Sequence, residues 1–170
     1  MVRVQHVLDS WRGVREDTAA AVESFPAGEF DFRPAPEVQT FGEAARHILQ
    51  AGHGMTGLML AGEVNFATPD FRDRLSRQAF PLAPDAGAAE LAAALRDSIA
   101  GRTQALAGMP EEFFAQTMTR MDGQQVTRLE MLQMLKEHEL THRAQLFLCL
   151  RMKGIVPPTT RRRMAKGAAK

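Results

Sequence analysis

A chain of 170 residues with 45% hydrophobic and 24% charged side chains has the composition of one ordinary globular domain, large enough to close a core without staples. Its single cysteine, Cys149, excludes an intramolecular disulfide and fits a reducing cytoplasm. No apolar run is long enough to span a bilayer, and the first residues, Met1 to His6, lack the apolar stretch of a signal peptide. The formal net charge of +1 is unevenly placed: residues 151–170 carry seven basic side chains and no acid, which leaves residues 1–150 with a balance of −6.

In chain order, Val4, Val7, Trp11, Val14, Val22 and Phe25 recur at steps of three and four, with Thr18 as the polar member, and predict a first helix over 4–25. Pro26, Pro34 and Pro36 keep the chain extended afterwards. Thr40-Phe41-Gly42-Glu43 matches a capping box and opens a second helix, with Phe41, Ala44, Ile48, Ala51, Met55 and Leu58 on one stripe. Within the connection over 63–85, Thr68-Pro69-Asp70 predicts a short helix with Thr68 as cap and Pro69 at its first position. A third helix is expected over 85–108, closed by Gly108 and Pro110. Asp122-Gly123 signals a turn, so residues 111–126 read as a short hairpin or extended ribbon. Thr127-Arg128-Leu129-Glu130 is a second capping box, opening a fourth helix that runs to about Lys153, with Gly154, Pro157 and Pro158 beyond it. Four long helices with lengthy connections predict an all-α four-helix bundle over 1–158. The basic tail over 159–170 reads as disordered.

The fourth helix aligns Met131, Leu135, His138, His142, Gln145 and Cys149 on one face. Histidines four apart on a helix have β-carbons about 5–6 Å apart, near enough to share one ion. The alternative is a pair of hydrogen-bonded core histidines. His138-Glu139-Leu140-Thr141-His142 also matches the zinc-protease pattern H-E-x-x-H. That reading fails on the third ligand, because no His, Asp or Glu follows His142. The ligand must come from upstream, and His47 flanks the stripe of the second helix. His53, six residues on, is rotated by roughly 120° and reads as facing solvent or a dimer partner. His6 reads as a surface residue.

With these residues in place, the chain resembles the DinB/YfiT-like family of metalloenzymes. The resemblance rests on Phe32-Arg33-Pro34-Ala35-Pro36 before the helix holding Arg46-His47-Ile48. It rests also on His138 to Leu146 and on Leu150 to Pro158. It implies an up-down-down-up bundle, a three-histidine site at His47, His138 and His142, a dimer, and for some members transferase or isomerase chemistry with low-molecular-weight thiols. Ala144 stands where the family often has glycine.

Three protein ligands leave an open coordination position, as in catalytic zinc sites. The leading expectation is therefore a metal-dependent transferase or hydrolase acting on a small molecule. The imidazoles suit zinc, nickel, copper or iron, with zinc and nickel expected first. Glu139 is the candidate general base; a surface position, or a role orienting a ligand, is the favoured alternative. Arg143 reads as a helix-to-helix ion pair or an anion contact, Gln145 as a hydrogen-bonding or packing residue, and Cys149 as a buried structural thiol. Phe66, Phe113 and Phe114 read as core. A non-enzymatic metal-binding or metal-sensing bundle remains the second reading. Nucleic-acid or membrane binding through Arg161, Arg162, Arg163, Lys166 and Lys170 is disfavoured, because no aromatic residue interleaves the charges.

Overall fold

The computed structural model describes residues 3–168; Met1, Val2 and Lys170, which the sequence reading used, lie outside them. Four long helices form the body: α1 (Val4–Ser24), α2 (Phe41–Leu60), α4 (Ala88–Ala107) and α6 (Arg128–Met152), with a short α3 (Phe71–Arg77) and α5 (Glu111–Ala115) in the connections. The two capping boxes form as expected. Thr40 accepts from the Glu43 amide at 3.1 Å while Glu43 accepts from the Thr40 amide at 2.7 Å, and Thr127 pairs with Glu130 in the same way. Each satisfies amides that the first helical turn would otherwise leave open. The third long helix has no such side-chain cap; Glu90 accepts from the Gly87 amide at 2.8 Å.

The apolar residues sort into two clusters that fix the direction of every helix. One joins Val7 and Trp11 of α1, Met55 and Met59 of α2, Ile99 and Leu106 of α4, and Leu132 and Leu135 of α6. The other joins Val22 of α1, Phe41 and Ile48 of α2, Leu91 and Leu95 of α4, and Leu146 and Leu150 of α6. The beginnings of α1 and α6 thus lie with the ends of α2 and α4, which is the up-down-down-up order. Helices α1 and α2 each pack against both α4 and α6, so α1 and α2 sit at opposite corners, as do α4 and α6, while α2 and α4 are neighbours. That arrangement needs the long connections seen in the sequence.

Several local expectations change. The short helix after residue 63 starts at Phe71 with Asp70 as its N-cap, not Thr68; the Thr68 hydroxyl instead donates to Asp70 at 2.7 Å. Residues 111–126 split into α5 and the first strand of a small antiparallel hairpin, β1 (Thr117–Thr119) with β2 (Gln125–Thr127). Gly123 takes the positive φ, +83°, that the turn requires. Within the stretch expected to be disordered, Pro158–Ala168 forms a further helix, α7. Two of its basic side chains find partners on α1, and α6 reaches it in turn. Arg162 pairs with Asp17 of α1, Arg161 donates to Ser24 Oγ at 2.9 Å, and Arg151 of α6 donates to Thr160 Oγ1 at 3.2 Å. No helix among the described residues is long and apolar enough to cross a membrane.

Candidate metal centre

Between the two apolar clusters lies a polar layer contributed by α1, α2, α4 and α6. Its first part is a buried ion pair. Glu139, 2% exposed, faces Arg15, 1% exposed. The carboxylate accepts from Arg15 Nε at 2.7 Å and Nη2 at 2.8 Å, from Trp11 Nε1 at 2.6 Å and from the Thr18 hydroxyl at 2.9 Å. Thr18, the polar interruption in the α1 stripe, thereby has its reason. Gly52 of α2 makes room for the guanidinium, since a β-carbon there would lie 2.7 Å from Arg15 Nη2 and 3.3 Å from the Trp11 ring. Glu139 is therefore not a surface residue; its acceptor directions are spent on α1.

The second part is the cluster of three imidazoles. His47 of α2 meets His138 and His142 of α6, one ligand atom from each lying within 4.8 Å of the others. His47 Nε2 is 3.1 Å from His138 Nε2, and His142 Nε2 is 3.2 Å from the same atom. The rings are inclined at 66–75° to one another. An imidazole nitrogen carries one proton or one in-plane lone pair, so His138 Nε2 cannot form a good hydrogen bond to both neighbours. A common ion can use all three. Two nitrogens bound tetrahedrally at 2.0–2.1 Å stand about 3.3 Å apart, close to the separations seen here.

One tautomer follows from a neighbouring amide. Gln145 Oε1 lies 2.9 Å from His142 Nδ1. An amide oxygen only accepts, so Nδ1 carries the proton and the lone pair of His142 is left on Nε2. Burial pushes the pKa of His47 down, helped by His142. Burial, then His142 and His47, push that of His138 down to about 4, against a smaller opposing effect of Glu139. Both are thus neutral, the form in which an imidazole can bind a metal.

A cavity of about 430 Å³ opens beside His47 and His138. Ala51 and Met55 of α2, Leu75 of α3, and Met131 and Leu135 of α6 form its apolar walls.

Other residues singled out in the sequence fall elsewhere. His53 does not face solvent: it is half-buried, with Nδ1 3.0 Å from Ser98 Oγ and its ring edge-on to Phe80. Burial, then Arg102 and Arg15, push its pKa down to about 4. Arg143 reaches Asp17 of α1 at 3.3 Å, the helix-to-helix pair anticipated. Cys149 is a buried free thiol in the second apolar cluster, its pKa raised by burial, and is not part of the imidazole group. Phe66, Phe113 and Phe114 are core, and His6 is exposed. The sequence reading missed Arg15 and Gly52. Arg15 lies beside the α1 stripe, and its partner is 124 residues away.

The sequence matches the DinB superfamily over residues 10–146; no curated protein matches it. Among solved structures it is similar to the DinB-like protein YjoA of Bacillus subtilis, with 19% identity over 88% of this chain and 92% of that one, at a TM-score of 0.69. It is similar also to YfiT of Bacillus subtilis, described as a probable metal-dependent hydrolase with an unusual four-helix bundle topology; identity is 18% over 87% and 88% of the two chains, and the TM-score is 0.64. A variant of the mycothiol-dependent maleylpyruvate isomerase aligns with 14% identity over 85% of this chain and 61% of that one, at a TM-score of 0.63. With a family match over most of its length and a bundle that these structures share, the chain belongs to the DinB superfamily.

Proposed function

We propose that this protein is a metal-dependent transferase or hydrolase acting on a small molecule, with a divalent ion held by Nε2 of His47, His138 and His142. The observation that carries the reading is the convergence of the three Nε2 atoms at 3.1 and 3.2 Å, beside a cavity that His47 and His138 both line. A structural site would be closed by a fourth protein ligand, whereas three ligands next to a cavity suit a reactive centre. When bound by these histidines, such an ion would supply Lewis acidity for activating a water or a thiol. Zinc or nickel is the ion we expect.

The chain's own residues divide the remaining work. The histidines fix the ion, Gln145 holds the Nδ1 proton of His142, and the apolar walls exclude water from the substrate's body. Glu139 is assigned to holding α6 against α1, not to proton transfer, because four donors already engage its carboxylate. A low-molecular-weight thiol is the co-substrate to try first, on the strength of the mycothiol-dependent structural neighbour. The reading includes a cytoplasmic homodimer, the first in keeping with a chain that has a single, buried cysteine and the second with exposed Leu148 and Met152 one turn apart on α6.

Elemental analysis of the purified protein by plasma mass spectrometry tests the core of this. Near-stoichiometric zinc or nickel is expected, followed by metal-dependent turnover in thiol-transfer and hydrolysis screens. No bound metal after incubation with either ion would end the proposal. The Gln145→Leu variant is expected to bind the ion about 10–100-fold more weakly with an unchanged fold, the usual effect of freeing a ligand histidine from its orienting partner. Competition against a chelating dye reads it, and unchanged affinity would remove Gln145 from the site.

A further inference from the structure

Charge is distributed around the cavity beside the histidines in a way that the metal reading does not use. Its exposed lining residues include Arg72 at the start of α3 and Asp122 in the hairpin turn, and half-buried Arg120 lines it as well. These define a rim, while His47 and His138 and the walls around Met55 and Met131 define the inner end. Arg120 is already compensated, since its Nη2 lies 2.9 Å from Asp122 Oδ2. The other ion pairs of this corner join Arg74 to Glu63 and Asp70, leaving Arg72 without one among the described residues. The rim therefore carries one net positive charge above an apolar interior.

We propose that the cavity takes a small molecule with an apolar body and one anionic group, the anion seated at the rim on Arg72 and Arg120 and the body directed toward the histidines. A carboxylate or sulfonate matches the donor fork of a guanidinium. A cation meets two arginines and one acid that is already occupied, and an uncharged molecule leaves Arg72 unused. The volume, about 430 Å³, lies in the range of small-molecule sites. Met55, Met131 and Met134 in the lining are flexible and polarizable, so the body is selected for being apolar rather than for one shape. As a statement about the substrate, this rests on the proposed function; as a statement about binding, it stands without the metal.

Calorimetric titration with octanoate, octanol and octylammonium separates the two. The full-length protein is used, once loaded with zinc and once stripped by chelator. Octanoate is expected to bind at least about tenfold more tightly than octanol in both forms, the worth of one charge-assisted contact, with octylammonium weakest. In the Arg72→Gln, Arg120→Gln double variant the preference for octanoate falls to about twofold or less, while octanol affinity and circular dichroism hold. Octanoate and octanol binding alike, binding of neither, or a preference that survives the double substitution overturns the proposal. A preference present only in the zinc-loaded form also overturns it, since the anion would then be bound by the ion. A protein that takes up no metal yet prefers octanoate through the arginines would sustain this inference while the metal reading fell.

Discussion

Glu139→Ala is expected to destabilise the metal-free protein by about 3–5 kcal/mol, the cost of breaking a buried ion pair from one side. Removing the carboxylate strands the Arg15 guanidinium, 1% exposed, with only a 3.3 Å contact from Nη1 to the Leu95 carbonyl. It also leaves the Trp11 indole N–H without its acceptor. A buried charge without a partner costs far more than the pair contributes when intact. The companion variant Arg15→Met, Glu139→Leu removes both charges and should recover most of the loss, because apolar residues of similar volume often replace a buried pair without penalty. Urea denaturation of the two single variants and the double variant forms a thermodynamic cycle. A loss below about 1 kcal/mol in Glu139→Ala, the range of solvent-exposed pairs, would contradict the buried geometry. Near-additive losses in the double variant would show that the two side chains do not act as a unit.

What the sequence revealed about this layer follows the range of the interactions involved. The capping boxes at Thr40 and Thr127 are written within four residues, and both form as read. The pair His138 and His142 is equally local, because helix geometry alone sets their spacing. His47 could be chosen only by elimination and by its flank position on a stripe, yet the bundle brings it to 3.1 Å from His138. Glu139 and His53 were misread for a shared reason. Glu139 lies in line with Leu135 and Leu146 on the buried face of α6 and His53 flanks the stripe of α2, and a charged or polar side chain at such a place reads as exposed until a partner is known. The partners, Arg15 for Glu139 and Ser98 for His53, lie 124 and 45 residues away. The helix over Pro158–Ala168 was not legible in a tail read by its basic composition alone. Acid on α1, Asp17, supplies a counter-charge that composition does not reveal.

Acidification is expected to release the ion and to weaken the metal-free bundle over the same range, between about pH 6.5 and pH 4. Protons and metal compete for the same imidazole nitrogens. Burial and neighbouring histidines hold His47 and His138 neutral below the point where a free imidazole is half protonated, so the ion should persist at pH 6.5 and leave as the pH approaches 4. Stability has the same sign. His138 and His53 titrate near 4 when folded and near 6.5 when unfolded. Between those values the unfolded chain binds more protons, so folding stability is complete above pH 6.5 and declines as the pH falls. Each histidine contributes a slope of at most about 1.4 kcal/mol per pH unit. His53 lies outside the imidazole cluster, so His53→Gln should flatten the slope without altering metal content. His142→Ala should do the reverse: it should abolish metal binding at every pH, by more than the ~10–100-fold expected for losing an orienting partner, while the His53 slope persists. Urea midpoints at pH 7.5, 6 and 5 on chelator-stripped protein, beside metal content after dialysis at the same pH values, measure both. A stripped protein equally stable at pH 7.5 and 5 would mean that these histidines are solvated. Metal retained by His142→Ala would mean that the ion is bound somewhere else.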